Sequence, residues 1–198
     1  MKICVFGASS ALIDKSYIES GEQLGELIST RGHSLVFGAG AEGVMGAVVR
    51  GVHKHGGEII GVVPTFFNVD GILFEECTEM IRTETMRERK FIMEEKADAF
   101  IVAPGGIGTY EEFFEVLTLK QLGRHEKAIV LLNINGYYDK MIDMINYTTE
   151  NHFMTDGCRR LVYITDNNED AVSYIENYVP QKYDIVQLRG LRNKPDKK

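Results

Sequence analysis

A doubly wound α/β fold, a mostly parallel sheet with helices on both faces, is predicted by this sequence on three observations. Short apolar runs alternate with longer stretches of helical periodicity along the chain, the rhythm of parallel strands joined by right-handed crossovers. The runs are continuously apolar, as in strands buried on both faces. Glycine-bearing loops follow three of them, at the strand-to-helix turns where such sheets bind ligands.

The first run, residues 3–6, leads through Gly7-Ala8-Ser9-Ser10 to a helix over 17–30. The second, 35–37, passes through a glycine-rich turn into a helix over 44–55. After a third strand at 59–63, the stretch 65–85 is irregular and is expected to form a lid or a short edge strand around 80–82. A helix over 87–97 precedes a strand at 99–102, a loop rich in glycine and a helix over 110–122. Strands at 129–132 and 161–164 and helices at 138–151 and 169–178 complete the pattern. No repeat, low-complexity segment or linker interrupts it, so residues 1–180 read as one domain. Residues 181–198 read as a tail, expected to be partly disordered.

Of the 198 residues, 44% are hydrophobic and 26% charged, the balance of a soluble globular protein. Lys and Arg number 22 against 29 Asp and Glu, a formal net charge of −7 that disfavours duplex nucleic acid and anionic membrane as partners. The basic clusters are confined to residues 87–90 and 192–198. Cys4, Cys77 and Cys158 are widely spaced with no Cys-x-x-Cys pair, which speaks against a disulfide framework or zinc knuckle. The N-terminus lacks the pattern of a secretory signal and no stretch approaches the apolar length of a membrane span. A cytoplasmic protein with reduced thiols is expected. His53 and His55 stand two apart, off a common helical face, and no Ser-His-Asp arrangement is legible.

The loops carry the chemistry. Gly38-Ala39-Gly40-Ala41-Glu42-Gly43 has the form G-x-G-x-x-G, the dinucleotide fingerprint. It follows the second strand instead of the first, however, and the acid about 20 residues on, Glu58, would begin the next strand. Glycines serving only a tight turn and close helix packing fit equally well. Pro104-Gly105-Gly106-Ile107-Gly108-Thr109 follows a strand and opens a helix, so that backbone N–H groups and the positive helix end converge on one anion, best a phosphate. Without a Walker Gly-Lys-Ser/Thr, a monophosphate suits it better than a triphosphate.

Thr109-x-x-Glu112 fits a capping box, in which both side chains would only satisfy the helix start. Glu112 also shares a helical stripe with Val116 and Leu119, which turns it inward for chemistry; both readings stand at this level. Glu111 and Glu115 project elsewhere and are expected to be solvated. Upstream, Arg89 and Lys90 lie within about 60° of the apolar face of Met86, Met93 and Ala97. There they need a partner or must snorkel to the rim. Arg87 and Glu88 point outward.

Together these residues resemble the LOG family, the cytokinin-riboside 5′-monophosphate phosphoribohydrolases once labelled "lysine decarboxylases". The likeness spans residues 5–153 and includes GASS, RGHSLVFGAGAEGVMGAVVRG, GGEIIGVVP, MRERK, DAFIVAPGGIGTYEE, FEVLTLKQLG and LLNINGYYDKM. It implies a Rossmann-like fold, a homodimer, and cleavage of adenine nucleoside monophosphates to free base and ribose 5-phosphate. By position, the family's catalytic arginine and glutamate fall on Arg89 and Glu112. Substrate contacts fall on Met86, Lys90, Gly105, Gly106, Ile107, Gly108, Thr109, Tyr110, Glu111 and Thr118, with Ser9, Gly40 and Gly43 assisting at the phosphate. Ala39 stands where the family commonly has a third glycine, Arg87 where histidine is frequent, and Asp70 is a candidate for a family acid after the VVP segment. The expected reaction requires neither metal nor organic cofactor. The rival readings are a non-catalytic nucleotide-binding protein and a small NAD(P)-dependent oxidoreductase. No lysine is placed for the Schiff base that a pyridoxal-dependent decarboxylase needs.

Overall fold

Successive side chains of a strand leave opposite faces of the sheet, and here both faces are apolar. In β1 (Lys2–Phe6), Ile3 and Val5 enter one core while Cys4 and Phe6 enter a second. The computed structural model describes residues 1–67, 71–182 and 188. The same alternation runs through β2 (Ser34–Phe37), β3 (Ile59–Pro64), β5 (Ala99–Val102) and β6 (Ala128–Leu132), whereas β4 (Glu79–Thr83) and β7 (Tyr163–Thr165) form the edges. All neighbours pair in parallel, in the order β4-β3-β2-β1-β5-β6-β7.

The connecting helices are α1 (Lys15–Thr30), α2 (Gly43–Lys54), α3 (Met86–Lys96), α4 (Ile107–Gln121), α5 (Asp139–Glu150) and α6 (Asn168–Glu176). Leu24 and Ile28 of α1, Val48 and Val52 of α2, and Val172 and Ile175 of α6 fill the core on one face. Met93 of α3, Phe113 and Val116 of α4, and the half-buried Ile142 and Ile145 of α5 fill the other. The predicted doubly wound class is therefore the observed one.

The chain winds outward from β1 to β4 and then crosses back to β5, which pairs with the other side of β1. The reversal opens a crevice at the carboxyl ends of β1 and β5, the place where open α/β sheets hold ligands. The loops there are tied together, with Ala8 N–H donating to the Pro104 carbonyl at 3.0 Å and Ala103 N–H to Phe6 at 2.9 Å.

Two expectations need correction, and a third is met. The strand expected at 161–164 is shifted: residues Asp156–Leu161 form a 3-10 turn that buries Leu161 against Cys158 and Leu188, and the strand is β7. The helix expected at 110–122 starts at Ile107. The irregular stretch contains an edge strand, β4, and its part nearest the crevice is pinned down, with Ala41 N–H donating to Ile72 and Phe74 N–H to Ala39. Asp70 and most of the expected tail lie outside the described residues.

Candidate active site

Arg89 lies one turn into α3, whose start is capped by Thr85 accepting from Glu88 N–H at 3.1 Å. That placement sends the side chain inward under the carboxyl ends of the strands. Its Nε donates to the Val62 carbonyl at 3.1 Å, and its Nη1 donates to Glu112 Oε1 at 2.9 Å. Both side chains are about 10% exposed. Of the two readings open for Arg89, pairing holds and snorkelling does not. The guanidinium fits because β2 is followed by Gly38: a Cβ there would overlap Arg89 Nη2. Gly38 is needed for space.

Glu112 stands in the second turn of α4. Burial pushes its carboxyl above the ordinary glutamate value, and the Arg89 charge and hydrogen bond oppose that rise. The capping-box reading fails, because the N-cap is Gly106, which places Thr109 inside the helix. Glu112 is thus free of any capping duty and faces Arg89.

Lys90, the next residue of α3, is 13% exposed and pairs with Glu111 and, at 2.6 Å, with Glu115. Glu111 is exposed, as expected, whereas Glu115 is half-buried, which corrects the expectation for it; the lysine draws both onto the α3–α4 seam. Glu94 on the same seam is pushed up to about 7 by burial first and then by Glu115.

Beside the ion pair, α4 begins without a side-chain cap. Its first N–H with a backbone acceptor inside the helix is that of Tyr110, donating to Gly106 at 3.0 Å. The N–H groups of Ile107, Gly108 and Thr109 come before that bond, at the positive end of the helix. Gly106 and Gly108 border open space, whereas a Cβ at Gly105 would overlap the Thr109 hydroxyl and approach Ala8 N. Thr109 is buried, Ile107 is exposed and the Tyr110 hydroxyl lies 3.2 Å from that of Tyr137.

The β2–α2 loop meets this start from the side. Gly43 has φ +65° and sits where any side chain would run into the Ala8 carbonyl and Ser10 backbone, and Met45 N–H donates to Ala8 at 3.1 Å. Gly40 lies next to Ser9, with a Cβ there 3.9 Å from the serine Cβ. Ala39 adopts φ +62° while fully buried, a conformation that favours glycine and matches its place in the motif. Met86, the first residue of α3, is partly exposed. The dinucleotide reading fails here, since Gly38 accommodates Arg89 and Glu58 accepts from the Ser34 hydroxyl where β2 and β3 begin, opposite the crevice.

Glu111 turns to Lys90 on the seam and Met86 is exposed at the start of α3, whereas Ser9, Gly40, Gly43, Arg89, 105–110 and Glu112 surround or adjoin the crevice. Thr118 does not join them. It lies about 18 Å of helix rise from Gly106, in a separate apolar cleft of about 220 Å³ with Phe114, Leu117 and Ile145. Sequence reasoning took Gly38 only as part of the G-x-G-x-x-G pattern and not as space for Arg89, and it missed the Val62 carbonyl, for which no side-chain pattern could signal. Among the described residues, no group of three or more His, Cys, Asp or Glu is placed to hold a metal ion, and no helix is long and apolar enough to cross a membrane.

A parallel sheet wound in two directions, with an arginine–glutamate pair buried beside an uncapped glycine-rich helix start, defines a Rossmann-like α/β protein. Residues 45–175 match the family described as "Possible lysine decarboxylase". The chain is 37% identical over 195 residues to cytokinin riboside 5′-monophosphate phosphoribohydrolase LOG2 of Arabidopsis thaliana, covering 98% of this chain and 92% of that one. It is 38% identical over 185 residues to LOG7 of the same plant, covering 93% and 85%. In fold it is like the molybdenum cofactor carrier protein of Chlamydomonas reinhardtii, with a TM-score of 0.67, 23% identity and coverage of 88% and 95%. The chain belongs to the LOG family.

Proposed function

We propose that this protein hydrolyses the N-glycosidic bond of a nucleoside 5′-monophosphate, AMP or an N6-modified cytokinin riboside monophosphate, to free base and ribose 5-phosphate. The observation that carries the reading is the buried Arg89–Glu112 pair one helical turn from the N–H groups that open α4. Those groups hold the 5′-phosphate through hydrogen bonds and the helix dipole, with Ser9, Gly40 and Gly43 at its side. The sugar then extends toward Glu112. As the bond from C1′ to the base nitrogen breaks, positive charge develops on the ribose. The Glu112 carboxylate stabilises that charge or takes a proton from the attacking water, whose hydroxyl joins C1′ while the base leaves with a proton. Arg89 is permanently protonated, so it serves as orienter and counter-charge. Lys90, engaged by Glu111 and Glu115, braces α3 on α4.

Thr118 reaches a substrate only across a dimer interface. The outer surface of the α3–α5 layer, which exposes Phe91, Phe114, Met144 and Tyr147, is the face on which a second copy packs. The reaction takes place in the cytoplasm, without metal or cofactor. Incubation with AMP and isopentenyladenosine monophosphate, followed by detection of free base, tests the reading. Tight binding without base release would favour the non-catalytic alternative.

A further inference from the structure

Three successive carbonyls of the loop after β5 each meet a donor from outside the loop, two of them from the adjacent Tyr137 and Tyr138. The Tyr138 hydroxyl donates to Ala103 at 2.7 Å, the Ala8 N–H to Pro104 at 3.0 Å, and the Tyr137 hydroxyl to Gly105 at 2.7 Å. The third contact matters most for ligand binding. In a planar trans peptide the carbonyl and the following N–H point in opposite directions, and the chain has no cis peptide among its described residues. Holding the Gly105 oxygen on Tyr137 therefore directs the Gly106 N–H away from the tyrosine, to the side where α4 opens.

That peptide also needs holding. It joins two glycines, the pair least restrained by its own sterics, and turned over it would present a carbonyl oxygen where an anion requires a donor. The tyrosine is itself held. It follows a 3-10 turn in which Asn135 and Gly136 have φ of 54° and 69°, and its ring packs edge-on against Tyr17 and Tyr138, with centroids 5.8 and 5.0 Å away. Its phenol is pushed up to about 12, by burial first and then by Tyr110, so it stays a donor through neutral pH.

We infer that Tyr137 is a positioning residue for the phosphate: its hydroxyl locks the Gly105–Gly106 peptide with the N–H toward the anion. The inference rests on reading the α4 start as the phosphate site, but its test does not depend on hydrolysis. Inorganic phosphate and ribose 5-phosphate are titrated calorimetrically into the full-length wild type, Tyr137→Phe and Tyr17→Phe, and kcat and KM for AMP are measured alongside. Tyr137→Phe should weaken both ligands and raise KM by about fivefold, the effect of losing one ordinary hydrogen bond, with kcat within about twofold. Tyr17→Phe, which keeps the ring brace, should match the wild type.

Undiminished phosphate affinity in Tyr137→Phe would overturn the inference, as would a fall in kcat at constant KM, loss of the fold, or a wild type that binds no phosphate. Absence of base release alone would reject the hydrolase reading and leave the calorimetric test to decide this one.

Discussion

Arg89 and Glu112 occupy ground that neither charge would hold alone. Removing one partner of such a pair leaves an uncompensated buried charge and typically costs about 3–5 kcal/mol. Burial dominates at Glu112 and raises its carboxyl. Relative to the unfolded chain, the folded state thus binds that proton more tightly, while Arg89 opposes the rise and favours the ionised form that the proposed chemistry needs. The weak point is Gly38, where any side chain displaces the guanidinium. Gly38→Ala is expected to lower kcat/KM by about two orders of magnitude, the scale of a catalytic group misplaced by about 1 Å. The overpacking should cost about 1–3 kcal/mol of stability. Steady-state kinetics beside a denaturant titration checks this; full activity would show that the close fit is dispensable. The charged pair itself was legible, because a cation and an acid on apolar stripes demand partners. The glycine that makes room for it was noticed only as part of a fingerprint with another meaning.

At the scale of elements, α3 and α4 are joined by a charged seam of Lys90, Glu94, Glu111 and Glu115. Glu94 rises from 4.5 to about 7, so folding takes up a proton between those values. Its contribution is fully present below about pH 4.5 and is lost as pH rises toward 7. Glu94→Gln should flatten that slope, leaving stability near pH 4.5 unchanged and raising the melting temperature at pH 8. With Glu94 only half buried, screening limits the gain to at most about 1 kcal/mol, or roughly 2–4 °C. A pH series of thermal melts decides; an unchanged slope would place the strain elsewhere. The order of strands and helices was readable from continuous apolar runs and helical spacing. Two boundaries were not. Gly106-Ile107-Gly108 has poor helix propensity, so the start of α4 is concealed in residues that resemble a loop. Leu161 continues an apolar run, yet its side chain joins Cys158 and Leu188, a contact that no local pattern records.

In the molecule as a whole, the Arg89–Glu112 pair lies where winding reverses. β1 and β5 diverge in their connections, and the helix returning the chain between them carries Arg89 while the helix leaving β5 carries Glu112. The family likeness was legible because these two helices bear their motifs in sequence order. What it could not supply was the location of Thr118, remote from the crevice of its own chain. The dimer proposed to resolve this should give twice the chain mass in light scattering, and a monomer would contradict it. In the proposed reaction, the carboxylate of Glu112 acts on a nucleotide whose phosphate sits on the α4 start. Base release from AMP and isopentenyladenosine monophosphate, compared between wild type and Glu112→Gln, tests it most directly. The wild type should yield free base and ribose 5-phosphate, and the variant should bind nucleotide but turn over at least about a hundredfold more slowly. Equal turnover by both proteins, or no base from any nucleoside monophosphate, would contradict it.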